Sequence, residues 1–287
     1  EESVFMTKNR IQILKEKMLS QPRYVSIEQA LIITKTYKQH ENEPIILKRA
    51  YALANALREL EIGIENEELI VGNRTKGVRY GVVFPESGIS WVDREFETIS
   101  TRKQDKFLVR DEDIKIFREQ IVPYWKGKSL EDVIKQNFGK EISAINKVVK
   151  INQTDHAQGH ICPNVEKWLQ KGVSGLLEDA QNHYKNADED KKNFYQAIII
   201  VMKAVQNFML RYHDLLIATA KDDEKNRASL IKVADICKNI SQRPPQTFHE
   251  AVQATWFLFV ILHMESNASS FSPGRLDKIL YPYYNHL

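Results

Sequence analysis

The sequence predicts a mainly α-helical protein, and three observations carry that prediction. Apolar residues recur every three or four positions through most of the 287 residues, which is the period of one helix face. Short runs typical of strands are confined to residues 68–84. No internal repeat, low-complexity run or long Pro/Gly/Ser linker divides the sequence. We therefore expect residues 1–287 to form one mainly helical unit, and 43% apolar residues suffice for a sizeable core.

The first 60 residues predict three helices. They run from Lys8 to Leu19, from a cap at Ser26-x-x-Gln29 to Tyr37, and from Pro44 to Leu60. The period then changes, and residues 68–72 and 80–84 are predicted as short strands or extended segments before Pro85.

The sequence after residue 111 returns to the helical period. Thr247-x-x-Glu250 has the form of a capping box and is expected to open the last of these helices. The predicted helices are Glu112–Gln120, Ser129–Gln136, Val165–Lys185, Asp190–Thr219, Lys225–Asn239 and Gln246–Met264.

Composition excludes several classes of partner. The 41 Lys and Arg residues nearly balance the 38 Asp and Glu residues, giving a net charge of +3, so no nucleic-acid or membrane partner is expected. The longest apolar stretches are too short to cross a bilayer. Two isolated cysteines, Cys162 and Cys237, do not predict a disulfide framework, and a reducing cytoplasm is the expected compartment.

The most specific motif lies near the end of the sequence, where residues 265–284 read ESNASSFSPGRLDKILYPYY. This run resembles the glycyl radical enzymes, the pyruvate formate-lyase-like family, and within it the dehydratase or eliminase branch that includes glycerol dehydratase. Three earlier segments are also similar to family segments: ELIVG at 68–72, FPE at 84–86 and YWKGK at 124–128. The resemblance therefore covers most of the sequence.

The resemblance implies a fold and a boundary. This region would be the N-terminal helical part of a ten-stranded α/β barrel, most of whose strands come from sequence not present here. The family's Gly-Cys-x-Glu loop and its Arg-Val-x-Gly-Tyr radical segment do not occur, and neither Cys162 nor Cys237 has that context. No catalytic residue is therefore expected in this chain, and the chain alone is expected to be inactive.

The resemblance also implies an activity for a longer parent protein. Such an enzyme would store a glycyl radical in its missing C-terminal part and would cleave a C–O, C–N or C–S bond of a small polar substrate by elimination. No cofactor is expected in this chain. A separate S-adenosylmethionine-dependent iron–sulfur activating enzyme would install the radical, the host would be anaerobic, and the parent would be a homodimer.

Candidate substrate-binding residues come from two loops. Asn152 and His160 reproduce an eight-residue spacing that glycerol-dehydratase-like members use to bind substrate hydroxyls, and Ser270 falls where eliminases place a substrate-binding serine. Asp155 and Gln158 depart from that branch and are expected to recognise a different head group. The resemblance implies that the loop around 152–160 approaches the loop around 266–272. Alternatively, the first loop only caps the helix that follows it.

Several other readings stay open. His156, His160 and Cys162 could form a zinc site, which would make the protein a metal-dependent hydrolase. Gly159 disfavours a continuous helix there, and no fourth ligand is evident, so no metal is expected. The parent could be a formate-lyase-type acyltransferase or a decarboxylase, or the chain could be a non-catalytic helical binding protein. Residues interpreted as structural are Glu265 and Asn267 in the loop, Arg275 and Asp277 as an ion pair, and Trp256, Phe257 and His263 in the core.

Overall fold

A computed structural model describes residues 2–149 and 158–285. Helices dominate the part it describes, which confirms the predicted mainly α fold. The helices are α1 Glu2–Ser20, α2 Glu28–Gln39, α3 Ile45–Glu59, α4 Ser90–Glu95, α5 Asp111–Ile116, α6 Val122–Trp125, α7 Leu130–Ile145, α8 Val165–Lys185, α9 Glu189–Asp222, α10 Arg227–Gln242, α11 Phe248–Glu265 and α12 Leu276–Tyr284. A π-helical turn, Phe117–Ile121, joins α5 to α6, and the strands are β1 Val25–Ser26, β2 Gly81–Val82, β3 Gln158–Ile161 and β4 Ala268–Phe271.

The sequence predicted one helix cap correctly and another wrongly. The capping box that opens α11 is confirmed, because Thr247 Oγ1 accepts from the Glu250 amide at 3.2 Å and Glu250 accepts from the Thr247 amide at 3.3 Å. The predicted cap at Ser26 is wrong. Ser26 lies in β1, opposite Val82 of β2, and α2 begins after Ile27 without a side-chain cap. Strand pairing thus took the residue that the sequence pattern assigned to a helix end.

Of the two segments predicted as short strands or extended, only residues 80–84 contain a strand. The segment at 80–84 contains β2, which pairs in parallel with β1. Residues 68–72 form no strand; instead, the amide of Val71 donates to Gln253 Oε1 at 2.9 Å and its carbonyl accepts from Gln253 Nε2 at 2.7 Å. The fully buried side chain of Gln253, in α11, therefore makes the hydrogen bonds that a neighbouring strand would otherwise make with Val71.

The long helix α9 lies at the centre of the main core, between α3, α8 and α10. Its Phe208 and Tyr212 rings are fully buried and pack against Phe257 of α11, with centroids 5.8 and 5.5 Å apart. Burying one such ring typically contributes about 1.5–3 kcal/mol. This packing fixes α11 against the bundle, and α11 in turn carries β4.

A second core joins the N-terminal helices to the turns after β2. Phe117 of the π-helical turn is fully buried against Phe96, with ring centroids 4.7 Å apart. Trp125 of α6 donates to Thr34 of α2 at 2.8 Å, so its polar edge is satisfied inside the core. Val83 and Ile89, on either side of residues 84–88, belong to this core, and the Leu130 amide at the start of α7 donates to the Glu86 carbonyl at 2.8 Å.

Candidate functional site

Two parallel strands bring distant parts of the chain together. β3 precedes α8 and β4 follows α11, and they pair with His160 opposite Ser270 and Ile161 opposite Phe271. Parallel strands need a long crossover connection, which α8 to α11 supply here. Because the pairing fixes the register, residues separated by 110 positions become neighbours.

The two faces of this small sheet differ in chemistry. Side chains alternate along a strand, so Ser270 and Phe271 point to opposite faces. Phe271 is buried and meets the ring of His263 on α11 edge to face, with centroids 4.7 Å apart. On the other face, Ser270 Oγ lies 3.0 Å from His160 Nδ1, and His160 is exposed. The sheet therefore packs its apolar face on the bundle and presents a polar pair outward.

The His160–Ser270 pair suits a neutral polar ligand. A serine hydroxyl can donate one hydrogen bond and accept others, and a neutral imidazole has one donor and one acceptor nitrogen. Their mutual bond uses Nδ1, which leaves Nε2 of His160 for another group. Hydroxyl groups of a small substrate can therefore be bound without an ionic partner.

The structure brings together only part of the predicted set. The expected approach of the two loops is confirmed for residues 158–161, which pair with 268–271. Gln158 lies in β3 opposite Ala268. Asn152 and Asp155 lie outside the described residues. The substrate-binding roles of Asn152, Asp155, Gln158, His160 and Ser270 stay predictions.

Side chains from three other segments cap the end of α11, three residues before β4 begins. A helix leaves its last carbonyls without intrahelical donors. In α11, three side chains from other segments satisfy them: Arg74 donates to the His263 carbonyl at 3.3 Å, Gln29 to that of Met264 at 3.0 Å, and Arg49 to that of Glu265 at 3.4 Å. Basic groups at a helix C-terminus also interact favourably with its dipole.

Glu265 has the structural role that the sequence predicted. Its carboxylate accepts from Arg49 in an ion pair that joins α11 to α3. The sequence pattern did not indicate a third member of this cluster, Glu86, which belongs to the FPE segment at 84–86. Burial raises the pKa of Glu86 to about 7, although Arg49 opposes the shift. The turn after β2 therefore places a second carboxyl group beside the Arg49–Glu265 pair.

Arg275 and Asp277 form the ion pair that the sequence predicted. Arg275 donates to both oxygens of Asp277, at 2.8 and 2.5 Å, and the hydrogen bond from Arg275 is the largest cause that lowers the pKa of Asp277 to about 2. His263 is half-buried between Phe259 and Phe271, and its Nδ1 lies 2.8 Å from the Phe259 carbonyl, so it has the expected hydrogen-bond partner but lies at the edge of the core.

The prediction that Trp256 belongs to the core is wrong. The residue is 39% exposed, while its indole nitrogen donates to the Gly72 carbonyl at 2.8 Å. Phe257, the next residue, is fully buried. α11 is apolar on all sides, so periodicity alone could not show which face points inward.

The zinc hypothesis finds no support in the geometry. His-x-x-x-His spacing places both imidazoles on one face only in a helix, whereas Gln158–Ile161 form a strand, and His156 lies outside the described part of the chain. Within residues 2–149 and 158–285, no three His, Cys, Asp or Glu side chains come together to hold a metal ion. Cys162 is exposed, and burial raises the pKa of Cys237 to about 12.

Among the helices that the structure describes, none combines the length and apolar character needed to cross a membrane.

Known proteins match this chain over nearly its whole length. A family model described as pyruvate formate lyase-like matches residues 6–286. The probable dehydratase YbiW of Escherichia coli (strain K12) is 34% identical over 272 residues, which are 91% of this chain and 33% of the relative. The chain spans about a third of the length of such relatives.

Two solved structures share the fold. The glycerol-bound B12-independent glycerol dehydratase from Clostridium butyricum aligns with a TM-score of 0.90 and 32% identity, over 96% of this chain and 36% of that one. A glycyl radical enzyme from Archaeoglobus fulgidus aligns with a TM-score of 0.88 and 32% identity, over 96% of this chain and 37% of that one.

These matches explain the architecture described above. The mainly helical fold with few strands corresponds to the N-terminal helical region of such enzymes, as predicted. The relatives named include dehydratases, which agrees with the branch indicated by the motif at residues 265–284. The chain belongs to the pyruvate formate lyase-like family, the glycyl radical enzymes.

Proposed function

We propose that the complete protein is a glycyl radical lyase of the dehydratase type. It would cleave a C–O, C–N or C–S bond of a small polar substrate by radical elimination, and residues 1–287 would supply part of the substrate-binding wall. The observation that carries the proposal is the His160–Ser270 pair, held at 3.0 Å on the outward face of β3 and β4.

The sheet itself supports this reading. In the described part of the chain, β3 and β4 pair only with each other, so each strand keeps an unpaired outer edge. Unpaired edges are templates for further strands. Strands from the remainder of the parent would extend this pair into a barrel, with His160 and Ser270 on the inner face. A dry interior would then make their hydrogen bonds to substrate more selective, since an unpaired buried polar group is costly.

The five candidate residues would bind different parts of the substrate. His160 would bind one substrate hydroxyl through Nε2, and Ser270, whose Oγ bonds Nδ1 on the other side of the ring, would bind the same substrate at another atom through its remaining hydrogen-bonding capacity. Asn152 would bind a second hydroxyl, while Asp155 and Gln158 would distinguish the head group. The stored radical would supply hydrogen abstraction from the substrate. This chain would hold and orient the substrate and would be inactive by itself.

The remaining partners follow from the same proposal. An S-adenosylmethionine-dependent iron–sulfur activating enzyme would install the radical, and the parent would act as a cytoplasmic homodimer in an anaerobic host. Residues 1–287 would belong to its pyruvate formate lyase-like domain. No nucleic-acid or membrane partner is proposed.

The test begins with the reading frame that contains this sequence. We expect a Gly-Cys-x-Glu loop and an Arg-Val-x-Gly-Tyr segment downstream of residue 287. The complete protein, activated without oxygen, should give a glycyl doublet in electron paramagnetic resonance and should eliminate from small diols, amino alcohols or hydroxysulfonates. A stop codon directly after residue 287 would refute the enzyme and favour a helical binding protein.

The site is tested by His160→Ala in the activated complete protein. One neutral hydrogen bond is worth about 0.5–1.5 kcal/mol, and more if its partner is left unpaired, so kcat/KM should fall roughly tenfold or more. Radical yield should not change. His213→Ala, on α9 away from β3, is the matched control and should retain full activity. Equal kcat/KM for both variants would remove His160 from the site.

A further inference from the structure

The end of α11 gathers polar groups that the fold does not fully use. Among the described residues, three buried side-chain oxygens find no hydrogen-bond partner: Gln29 Oε1, Glu86 Oε2 and Ser266 Oγ. Gln29 already donates to the Met264 carbonyl, and Ser266 is the residue that follows α11. Glu86 lines a cavity of about 20 Å³ that Met264 also lines. Buried polar atoms of this kind are ordinarily paired, so their concentration here requires an explanation.

Glu86 is the member that can change charge. It shares the small cavity with Arg49, Glu265 and Tyr37, which come from α3, α11 and α2. Oε2 of Glu86 is out of contact with solvent and receives no donor, which disfavours a carboxylate and favours the neutral acid. Burial therefore raises the pKa of Glu86 to about 7.

The charged groups around Glu86 act in opposite directions. Arg49 favours its carboxylate form, whereas Glu265 disfavours it. From α2, Tyr37 is neutral, since burial raises its pKa to about 12. The N-terminus of α7 also packs here, because the Leu130 amide donates to the Glu86 carbonyl at 2.8 Å.

The acidic side chains of α7 are directed elsewhere. Glu131 accepts from the Trp91 amide at 3.3 Å, and Asp132 accepts from the Gly127 amide at 2.9 Å. The cluster itself has a net charge of zero with Glu86 protonated: +1 from Arg49 and −1 from Glu265. Loss of the Glu86 proton to solvent makes it −1.

We propose that Glu86 is a positioning residue whose protonated form keeps Arg49 bound to Glu265 and thereby holds the start of β4, and with it Ser270, in place. The Arg49 guanidinium donates to both the carboxylate and the main-chain carbonyl of Glu265. When Glu86 ionises, its free Oε2 becomes a second anionic acceptor inside the same cavity. The Arg49 guanidinium then interacts with two carboxylates instead of one. Its hydrogen bonds to Glu265 weaken, and the last turn of α11 opens more easily. Glu265 stands only three residues before Ala268, where β4 begins.

The sign of the pH effect follows from linkage. A carboxyl group whose pKa is raised by folding stabilises the folded arrangement while it is protonated. That stabilisation is complete below the ordinary pKa of about 4.5, declines as pH rises, and is lost above about 7. The equilibrium constant for an opening that exposes Glu86 therefore rises by up to roughly tenfold per pH unit between those limits. Above pH 7 the effect levels off.

Amide hydrogen exchange in this 287-residue chain measures that opening. After correction for the intrinsic pH dependence of exchange, β4 amides should lose protection steeply between pH 5 and pH 7. Glu86→Gln mimics the neutral acid and should abolish that slope. Glu59→Gln, at the exposed end of α3, should keep it. Amides of α10 that exchange through openings in which Glu86 and Glu68 stay buried should show no slope in any variant and serve as an internal control.

A second measurement does not depend on the variant folding. Carbon-13 titration of the wild-type carboxyl groups should show two resonances that titrate near pH 7, because burial also raises the pKa of Glu68 to about 7, and one of the two should be assigned to Glu86. An ordinary titration for Glu86, or equal β4 slopes in the wild type and in Glu86→Gln, would overturn the inference. The catalytic meaning rests on the proposed function, but neither measurement requires turnover. A parent without lyase activity would refute that function and leave these two results standing.

Discussion

Replacing Glu250 by Gln should destabilise the chain strongly, because this carboxylate connects three segments. Its side chain is 3% exposed. It accepts from Arg243 at 2.8 and 3.0 Å, from the Gln246 amide at 2.7 Å and from Asn239 at 3.1 Å. The glutamine amide would keep one acceptor oxygen but would turn an NH₂ group toward donors.

The expected loss can be worked from these contacts. Breaking a buried ion pair by removing one partner costs about 3–5 kcal/mol. Arg243 remains one-third exposed and can recover water, which reduces the loss, so we expect about 2–3 kcal/mol. Burial alone would raise the pKa of Glu250, but the hydrogen bonds from Arg243 and Gln246 outweigh it, and the pKa is lowered.

The lowered pKa adds a pH signature. The stabilisation is present above the ordinary glutamate pKa of 4.5 and is lost as pH falls through the folded value. Urea denaturation of the wild type and of Glu250→Gln should therefore differ most near pH 7 and converge under acid. Glu178→Gln, on an exposed position of α8, is the control. A loss below about 1 kcal/mol at pH 7, or a gap that does not narrow in acid, would refute the reasoning.

Two further predictions concern single positions. Gly172→Ala should lower the free energy of unfolding by about 1–3 kcal/mol, because Gly172 has φ +63° and a Cβ there would lie 2.9 Å from the main chain of Pro244. Gly175→Ala in the same helix is the control and should cause no loss. Equal denaturation midpoints for the two variants would contradict this prediction. Mass-spectrometric mapping of brief iodoacetamide labelling should find Cys162 modified in the folded chain and Cys237 modified only after unfolding, since the second thiol is buried and its pKa is raised to about 12; early labelling of Cys237 would contradict this.

Features set by neighbours in sequence were predictable. Helix α8 runs from Val165 to Lys185, the bounds that its apolar period and flanking residues predicted. The α11 capping box was predicted because its partners, Thr247 and Glu250, are three residues apart. The cap at Ser26 failed for the opposite reason: its fate depends on Val82, a residue more than fifty positions away that pairs with it across a sheet.

The candidate site shows the same limit. Periodicity could not place His160 beside Ser270, and only the family resemblance suggested that their loops meet. The cluster of Arg49, Glu86 and Glu265 was not predicted at all, since its members lie in three segments with unremarkable local patterns. Burial, which raises the pKa of Glu86, is a property of packing and has no counterpart in sequence spacing.

The pairing of β3 with β4 has a consequence for the order of folding. The contact between His160 and Ser270 closes a loop of 110 residues, and closing so long a loop is entropically unfavourable until the intervening chain is compact. Helices α8 to α11 form through local contacts and can pack first. We therefore expect the two strands to join after the folding transition state, with φ-values near zero at Ser270. Substitutions in β4 would then speed unfolding and leave the folding rate almost unchanged, so the candidate binding site would be the last part of the chain to form and the first to be lost.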